Sequence, residues 1–280
     1  VLAAGHAVDA VIEYILWGCG IIGFILPLML FGYIFIEGAH VLSWSFLTDY
    51  PRGMLLGESG GIMPAILGSV SLAAGGLFIA LPLALGGGIY LSEYSSRSQF
   101  SQASRFFIEC LVAVPSVIYG LFGYAFLVVY LKFGISLIAG GVVLALIMFP
   151  IILITTQESL QAVSNQYREA GLSMGVSKIY LVRKVLLRKA WPSIVAGIVL
   201  AVGHAIGSAA PILFTASIYF SKGDIRPDQP VMTLPTHLYH IVSEALSMDQ
   251  AFGTALVLIM GLIIFNACAL LLRRIGGIHT

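Results

Sequence analysis

Six strongly apolar segments dominate this chain, and each is long enough to cross a bilayer, which takes about 20 residues in a helix. Because backbone N–H and C=O groups find no water inside a bilayer, segments of this kind must form helices there. We therefore expect an all-α membrane protein with six transmembrane helices in a single domain, residues 1–280. The segments lie near residues 11–37, 64–92, 105–131, 135–157, 190–217 and 251–273.

The composition excludes a soluble domain of ordinary type. Hydrophobic residues make up 59% of the 280 residues and charged residues only 10%, with a mean hydropathy of +1.00. A chain with so few charges cannot cover a water-facing surface, so most of it must lie in lipid. The formal net charge is +1 and there is no basic tail. Nucleic acid is therefore not expected as a partner.

The sequence gives no sign of a catalytic site, a metal centre or a cofactor. It has no Gly-x-x-x-x-Gly-Lys-Ser/Thr phosphate loop, so the chain is not expected to hydrolyse ATP itself. It also has no His-Glu-x-x-His helix for a catalytic zinc. The three cysteines stand singly in apolar segments, without the spacing of a metal cluster.

The lysine and arginine residues favour one orientation in the membrane. If both termini are cytoplasmic, ten of the 14 cations face the cytoplasm, in keeping with the positive-inside rule. We therefore expect a multi-pass protein of a bacterial or archaeal plasma membrane. The inside cations are Arg97, Arg105, Arg168, Lys178, Arg183, Lys184, Arg188, Lys189, Arg273 and Arg274, and the outside cations are Arg52, Lys132, Lys222 and Arg226.

The cytoplasmic connection at residues 158–189 is a long polar and basic stretch between two apolar segments. Within it, Tyr167, Ala170, Gly171 and Met174 recur at helical spacing and predict one apolar face of a short helix. Gly175 follows as a plausible C-terminal cap. A soluble partner in the cytoplasm can reach a helix in this position.

The same stretch resembles the EAA loop of bacterial ABC-importer permeases, which reads Glu-Ala-Ala, three residues, Gly, nine residues, then Ile-x-Leu-Pro. Gly171 departs from it by replacing the second Ala, and Arg188 stands where Pro is expected. The resemblance implies that this loop is a coupling helix that docks into a groove of an ATPase subunit. The residues in register are Glu169, Ala170, Gly171, Gly175, Val185 and Leu187.

Further strings are similar to the phosphate-importer permeases of the Pst type, the A subunit in particular. Their order and spacing cover some 200 residues, which makes the resemblance specific although each string alone is weak. The resemblance implies a type I ABC-importer permease with several partners: a dimer of ATP-binding subunits, a second and related permease, and an extracytoplasmic solute-binding protein. The strings lie at residues 60–69, 89–94, 114–123, 155–160, 209–216 and 234–235.

The fifth segment carries the candidate pathway residues His204, Ser208 and Pro211, which would share one face of a continuous helix. In the phosphate family the matching stretch resembles Arg-x-x-Gly-Glu-Thr-Ala-Pro, so His204 replaces the Arg and Ser208 replaces the Glu. An arginine is a fixed cationic fork, whereas a histidine is cationic only when its pKa permits. Both replacements fall on residues that the resemblance would place in the pathway.

These replacements leave the solute open. The pathway carries phosphate with His204 as a weaker donor, or it carries another oxyanion or anionic solute. In a third reading, His204 is a neutral packing residue and the partner permease supplies most of the pathway. A non-transporting regulatory membrane subunit that binds the ATPase is the alternative from another class.

Two further groups of residues yield expectations about local structure. Glu109 is expected to pair with Arg105 one helical turn earlier, and Glu93 is interpreted as an anchor at the membrane interface. Prolines within the predicted spans each remove a backbone donor and favour a break in the helix. They are Pro82, Pro115, Pro150 and Pro211.

Overall fold

A computed structural model describes residues 2–53, 56–95, 99–221 and 223–277 of the chain. Two residues of the predicted charge pattern, Arg97 and Lys222, lie outside these ranges. The described residues form helices joined by turns, with two isolated bridges between extended residues. The predicted all-α fold is confirmed.

Twelve α-helices and three π-helical turns make up the described part of the chain. The α-helices are α1 (Leu2–Ala39), α2 (Trp44–Thr48), α3 (Met63–Ile89), α4 (Gln99–Ala113), α5 (Ser116–Gly123), α6 (Leu137–Gln161), α7 (Asn165–Ser173), α8 (Lys178–Leu181), α9 (Leu187–Gly207), α10 (Ala209–Thr215), α11 (Leu234–Ser243) and α12 (Met248–Gly277). The π-helical turns are Tyr90–Tyr94, Tyr124–Tyr130 and Val182–Leu186.

Among the described residues, five helical stretches are long and apolar enough to cross a membrane, and a sharply bent pair of helices makes a sixth if the two count as one span. The five stretches are Ile12–Ala39, Met63–Tyr94, Leu137–Gln161, Lys178–Gly207 and Met248–Cys268. The pair consists of Gln102–Ala113 and Ser116–Tyr130, bent by 94°, where the sequence predicts one span at 105–131. Pro115 explains the bend, because a residue that precedes proline avoids the α conformation.

The other prolines act differently from one another. Pro82 and Pro150 lie inside the continuous helices α3 and α6, so the breaks expected there do not occur. Membrane helices tolerate such prolines when neighbouring helices satisfy the freed carbonyl. Pro211 lies in the first turn of α10, where its missing N–H would have no partner in any case.

The core of the fold is the contact between α3 and α6, the most extensive between any two helices described. Small residues allow this approach: a Cβ added to Gly76 would lie 3.2 Å from the carbonyl oxygen of Gly141. Near the other end of α3, a Cβ on Gly88 would lie 2.8 Å from Thr156 Cβ. Around this contact α6 buries a continuous stripe that includes Val143, Leu144, Met148 and Ile152.

A second apolar cluster closes the end of the bundle where α2 and α11 lie. It packs residues of the 40–62 connection, such as Phe46 and Ile62, against Met232 and Ile241. The backbone N–H of Leu234, at the start of α11, donates to Ser69 Oγ of α3 at 2.8 Å. The loops at this end are therefore packed onto the helices.

Helix α1 is attached to the rest of the chain at one end only. A Cβ on Gly38 would lie 2.7 Å from the carbonyl oxygen of Phe252, and the ring of Tyr33 meets the ring of Phe252 edge-on at 5.5 Å. None of the most apolar 18-residue window within Ile12–Ala39 is buried. This surface must face lipid or another membrane protein.

Candidate functional site

The predicted amphipathic helix is present as α7. Ser164 caps its start by accepting a hydrogen bond from the backbone N–H of Gln166 at 3.3 Å. At its end Gly175 has a left-handed φ of +71°, and the N–H of Val176 donates to the carbonyl of Gly171 at 3.1 Å. This is the hydrogen-bond pattern of a glycine-terminated helix. Gly175 therefore occupies the capping position that the sequence predicts.

The helix divides the four predicted coupling residues between two sides. Glu169 and Ala170 are exposed, and so is Gly175, which has open space where a Cβ would be. Gly171 is buried, and a Cβ there would lie 2.8 Å from Leu181 Cδ1 of α8. The close approach of α8 accounts for glycine at a position where the EAA pattern has alanine. It also means that Gly171 does not share the exposed face of Tyr167, Ala170 and Met174.

Apolar side chains are exposed around α7 and α8. Leu172 is 63% exposed and Met174 is 75% exposed, although both lie in the most polar part of the chain. An apolar patch framed by charged residues is typical of a surface that binds another protein. We define the α7 surface as the exposed residues Tyr167, Glu169, Ala170, Leu172, Met174, Ile179 and Tyr180.

A buried ion pair connects the α7 surface to the long helix α3. The guanidinium of Arg168 donates from Nη2 to Glu93 Oε1 at 2.6 Å and from Nε to Glu93 Oε2 at 3.2 Å. Glu93 is only 8% exposed. Arg168 also donates to the carbonyl oxygens of Leu160 and Val163, each at 2.8 Å. A fork of this kind fixes both the distance and the orientation between its two partners.

Lysine 178 adds a third contact to the same junction. Its ammonium group donates to the carbonyl oxygen of Glu93 and lies 4.8 Å from the centroid of the Tyr94 ring. The π-helical turn Tyr90–Tyr94 places Glu93 on the buried side. π-helical turns often occur at functional sites, where they re-aim side chains. The coupling loop is thus held to the end of α3 by both of its flanking cations.

The interpretation of Glu93 as an interfacial anchor is wrong, because its carboxylate is buried against Arg168. The sequence places the two residues 75 positions apart, and no short motif links them. The one available signal was a carboxylate at the end of an apolar span, which is costly unless it is paired. By contrast, Arg105 and Glu109 form the expected pair, with Nε and Oε1 3.2 Å apart.

The pathway candidates lie at a break in the fifth span. Helix α9 ends at Gly207, Ser208 has extended backbone with φ −85° and ψ 97°, and α10 begins at Ala209. The hydroxyl of Ser208 donates to the carbonyl oxygen of His204 at 2.8 Å. His204 is exposed whereas Pro211 is buried, so the three residues do not share one helical face. Broken helices of this kind occur where membrane proteins bind solutes.

His204 lines a small cavity beside the broken third span. The cavity has a volume of about 140 Å³ and includes Tyr119, Ser116 and Pro150 among its lining residues. The hydroxyl of Tyr119 donates to the carbonyl oxygen of Leu111 across the bend. The cavity thus lies between the break in the third span and His204, one helical turn before the break in the fifth. Neither Ser208 nor Pro211 is among the residues that line it.

The chain matches a known family over most of its length. Residues 84–275 match the family described as "Binding-protein-dependent transport system inner membrane component". The matched range contains α6 to α11 complete, and with them the coupling loop and both broken spans.

Curated relatives of the chain are transport permeases by name. The "Phosphate transport system permease protein PstA" of Xylella fastidiosa (strain Temecula1 / ATCC 700964) is 35% identical, over 78% of this chain and 77% of its own length. The "Phosphate transport system permease protein PstA 2" of Mycobacterium bovis is also 35% identical, over 80% of this chain and 74% of its own. The "Probable ABC transporter permease protein YqgI" of Bacillus subtilis is 29% identical, over 86% of each chain.

The fold is also shared with solved transporter structures. A chain of the MetNI methionine ABC transporter in an inward-facing conformation superposes with a TM-score of 0.62, covering 77% of this chain and 94% of that one. The two sequences are only 16% identical. The expected type I importer architecture is therefore confirmed at the level of the fold.

Proposed function

Because this chain belongs to the family of binding-protein-dependent transport system inner membrane components, and is thereby a permease subunit of an ABC importer, we propose that it carries inorganic phosphate. Two relatives that are 35% identical over more than three quarters of this chain bear the name of phosphate transport permeases. The sequence strings that resemble the Pst-type permeases lie around the start of α3, in the π-helical turn Tyr90–Tyr94, in α5, α6 and α10, and at the start of α11.

The coupling role is inferred from one observation: the α7 surface is exposed, and the Glu93–Arg168 ion pair holds its helix against the end of α3. An apolar surface docked to an ATPase can transmit force only if it is fixed to the helices that must move. The Glu93–Arg168 fork supplies that connection, since it joins α7 to α3, and α3 packs along α6. In this proposal the ATPase binds at Glu169 and the exposed apolar residues around it, while Gly171 and Gly175 shape the helix that presents them.

The remaining partners follow from the family and from the shape of the fold. A permease of this size encloses only half of a pathway, so we propose a second, related permease against the exposed surfaces of α1 and α5. Closure of a dimer of ATP-binding subunits would switch access across the two permeases. A solute-binding protein would deliver phosphate at the opposite end, where the 40–62 connection and α11 lie, and this end would face away from the cytoplasm.

The cavity beside His204 is the proposed contribution of this chain to the pathway. The imidazole can donate to an oxyanion, and the break at Ser208 leaves backbone groups near the same depth. The exchange of the family's Arg and Glu for His204 and Ser208 favours one second candidate, a permease for a different oxyanion. That candidate keeps the fold, the coupling loop and the partners, and changes only the solute.

Uptake into proteoliposomes tests both candidates. The chain is reconstituted with the permease, ATPase and binding protein that are encoded beside it. Labelled phosphate is then offered together with excess sulfate, molybdate, tungstate and phosphonate. ATP-dependent phosphate uptake that resists the competitors supports the proposal. Uptake of another anion in place of phosphate would favour the second candidate. A complex that hydrolyses ATP but moves none of these anions would contradict both, and would favour a regulatory membrane subunit.

A further inference from the structure

A groove between α3 and α9 combines an apolar floor with a basic rim. It has a volume of about 580 Å³ and lies where α9 emerges from the polar coupling loop. Leu85 and Ile89 of α3 form part of the floor. Arg183, Lys184 and Arg188 supply the charge, and Trp191 completes the α9 side. The residues that line the groove include three cations and no carboxylate.

The three cations of the groove differ from the other cations near α7. Arg168 and Lys178 are both held by Glu93, and the ammonium of Lys189 lies 5.6 Å from the centroid of the Tyr167 ring. Across the part of the chain that the structure describes, Arg183, Lys184 and Arg188 are exposed and no hydrogen bond or ion pair joins them to another residue. Three neighbouring cations without counter-charge repel one another and attract an anion.

The setting of the groove identifies the class of anion. Its floor continues into the apolar cluster of Leu186, Ala190 and Ile194, so one side is suited to hydrocarbon. Trp191 is half exposed at the same level, and tryptophan favours the boundary between lipid headgroups and acyl chains. A soluble anion would use the cations but leave the apolar floor unfilled. A molecule with an anionic headgroup and an acyl chain uses both.

A departure from the EAA pattern strengthens this argument. Arg188 stands where the pattern has a proline, and it lies one residue after Leu187, which is in register with the motif. The side chain of Arg188 faces the groove and has no partner on the α7 surface. The exchange therefore adds a third cation to the groove. Nothing in the proposed coupling of α7 to the ATPase requires a charge at this position.

We propose that the groove between α3 and α9 binds the headgroup of an anionic phospholipid, with Arg183, Lys184 and Arg188 around the phosphate and the first part of an acyl chain along Leu85 and Ile89. Clusters of basic residues at the cytoplasmic ends of membrane helices bind anionic lipids in this manner. The site is separate from the solute pathway at His204, so it does not depend on which anion is transported.

Trp191 provides a direct probe, because quenching by a brominated acyl chain requires contact. Trp17→Phe and Trp44→Phe leave Trp191 as the single tryptophan of these 280 residues. The protein is placed in vesicles of phosphatidylcholine with increasing mole fractions of brominated phosphatidylglycerol or brominated phosphatidylcholine. We expect half-maximal quenching at a mole fraction at least about fivefold lower for phosphatidylglycerol, the effect of roughly one cation near a lipid surface. Equal quenching by the two lipids would overturn the proposal.

Substitutions locate the site. The preference for phosphatidylglycerol over phosphatidylcholine should fall in each single variant, Arg183→Gln, Lys184→Gln or Arg188→Gln. It should disappear in the triple variant. Arg105→Gln is the matched control, because it removes a cation that is already paired with Glu109. A triple variant that keeps the full preference would refute the site. Native mass spectrometry of the unsubstituted chain needs no variant, and it should retain phosphatidylglycerol but not phosphatidylcholine; retention of neither would also count against the site.

The same quenching experiment distinguishes a phospholipid from two other possible occupants of the groove, inorganic phosphate and the ATPase subunit. Inorganic phosphate, at an ionic strength matched with chloride, should leave the preference unchanged. A loss of preference with phosphate alone would assign the groove to a free anion and overturn the lipid proposal. Addition of the ATPase subunit should also leave Trp191 quenched. If the ATPase removes the quenching, the groove belongs to a protein interface and the proposal fails.

Discussion

Glu93 and Arg168 form a buried, two-pronged ion pair between the end of α3 and the coupling helix α7, with the shorter contact at 2.6 Å. Both partners are mostly buried, and Arg168 fills its remaining donors on backbone carbonyls and Asn165. No other salt bridge among the described residues joins α7 to a membrane-spanning helix. Substitutions in this pair can therefore be compared with substitutions on the α7 surface, to distinguish effects on stability from effects on coupling.

Glu93→Gln should destabilise the chain strongly, because it leaves the Arg168 guanidinium buried without its counter-charge. Breaking a buried pair costs about 3–5 kcal/mol. The control is Glu109→Gln, which removes an exposed pair worth at most about 1 kcal/mol. Thermal unfolding of the purified chain in detergent compares the two variants. Equal midpoints for both would show that the Glu93–Arg168 contact contributes little.

Glu169→Lys should leave the fold intact and uncouple the ATPase. Glu169 is exposed on the α7 surface, so reversing its charge disturbs no internal contact of this chain but places a wrong charge against the docking partner. The expected result is normal membrane insertion with the loss of solute-stimulated ATP hydrolysis in the reconstituted complex. Full stimulation in this variant would contradict the placement of the ATPase at the α7 surface.

Gly175 should tolerate asparagine better than valine, although both fit the open space around it. The constraint is the φ of +71°, which asparagine adopts at small cost and a β-branched residue does not. Gly175→Val should cost about 1–2 kcal/mol and lower ATPase stimulation, and Gly175→Asn should retain most of it. Gly171→Val tests a different cause, since a side chain there meets Leu181. Identical behaviour of Asn and Val at position 175 would exclude the backbone explanation.

His204→Ala should reduce uptake while the complex still assembles and binds ATP. The imidazole lines the cavity between the two broken spans and is exposed there, so its loss removes a donor without opening the core. His204→Arg together with Ser208→Glu restores the pair found in the phosphate family. This double variant should keep phosphate uptake and weaken competition by other oxyanions. Unchanged uptake in His204→Ala would return the residue to a packing role.

Acid should loosen the end of the bundle at α11. Burial, with a smaller contribution from the nearby His240, lowers the pKa of His237 from 6.5 to about 4, so the neutral ring favours the folded state. That stabilisation is complete above pH 6.5 and is lost as the pH falls towards 4, by at most about 3 kcal/mol. His237→Phe should flatten the dependence of the unfolding midpoint on pH between 7 and 4.5. An equally steep dependence in the variant would assign the effect to another group, such as His240.

The sequence predicted the architecture and the helix α7 well, because both rest on local patterns. Apolar length indicates a span, and the sequence from Ser164 to Gly175 contains a start signal, a periodic face and a stop signal. The 94° bend at Pro115 and the break at Ser208 were harder to predict from the sequence. Four prolines looked alike in the sequence, yet Pro82 and Pro150 lie inside continuous helices, and only packing decides between the two outcomes.

The Glu93–Arg168 junction could not be predicted, since it depends on tertiary structure. Glu93 is buried only because the π-helical turn rotates it inward and because α7 folds back under α3. The glycine at position 171 is a similar case. A side chain at this position would meet Leu181 of the next helix, and no spacing within the EAA pattern reveals that contact.

The contact between α3 and α6 also has a consequence for biosynthesis. The two helices are not consecutive, so the ribosome makes the whole of the third span before α6 begins at Leu137. At about 5–20 residues per second, α3 waits for several seconds with its glycine-lined surface uncovered. During that interval Gly76 and Gly88 lack the partner helix whose close approach they permit, and α3 can meet α6 only after α6 has been made. Bulky substitutions at these glycines should therefore reduce the yield of inserted protein.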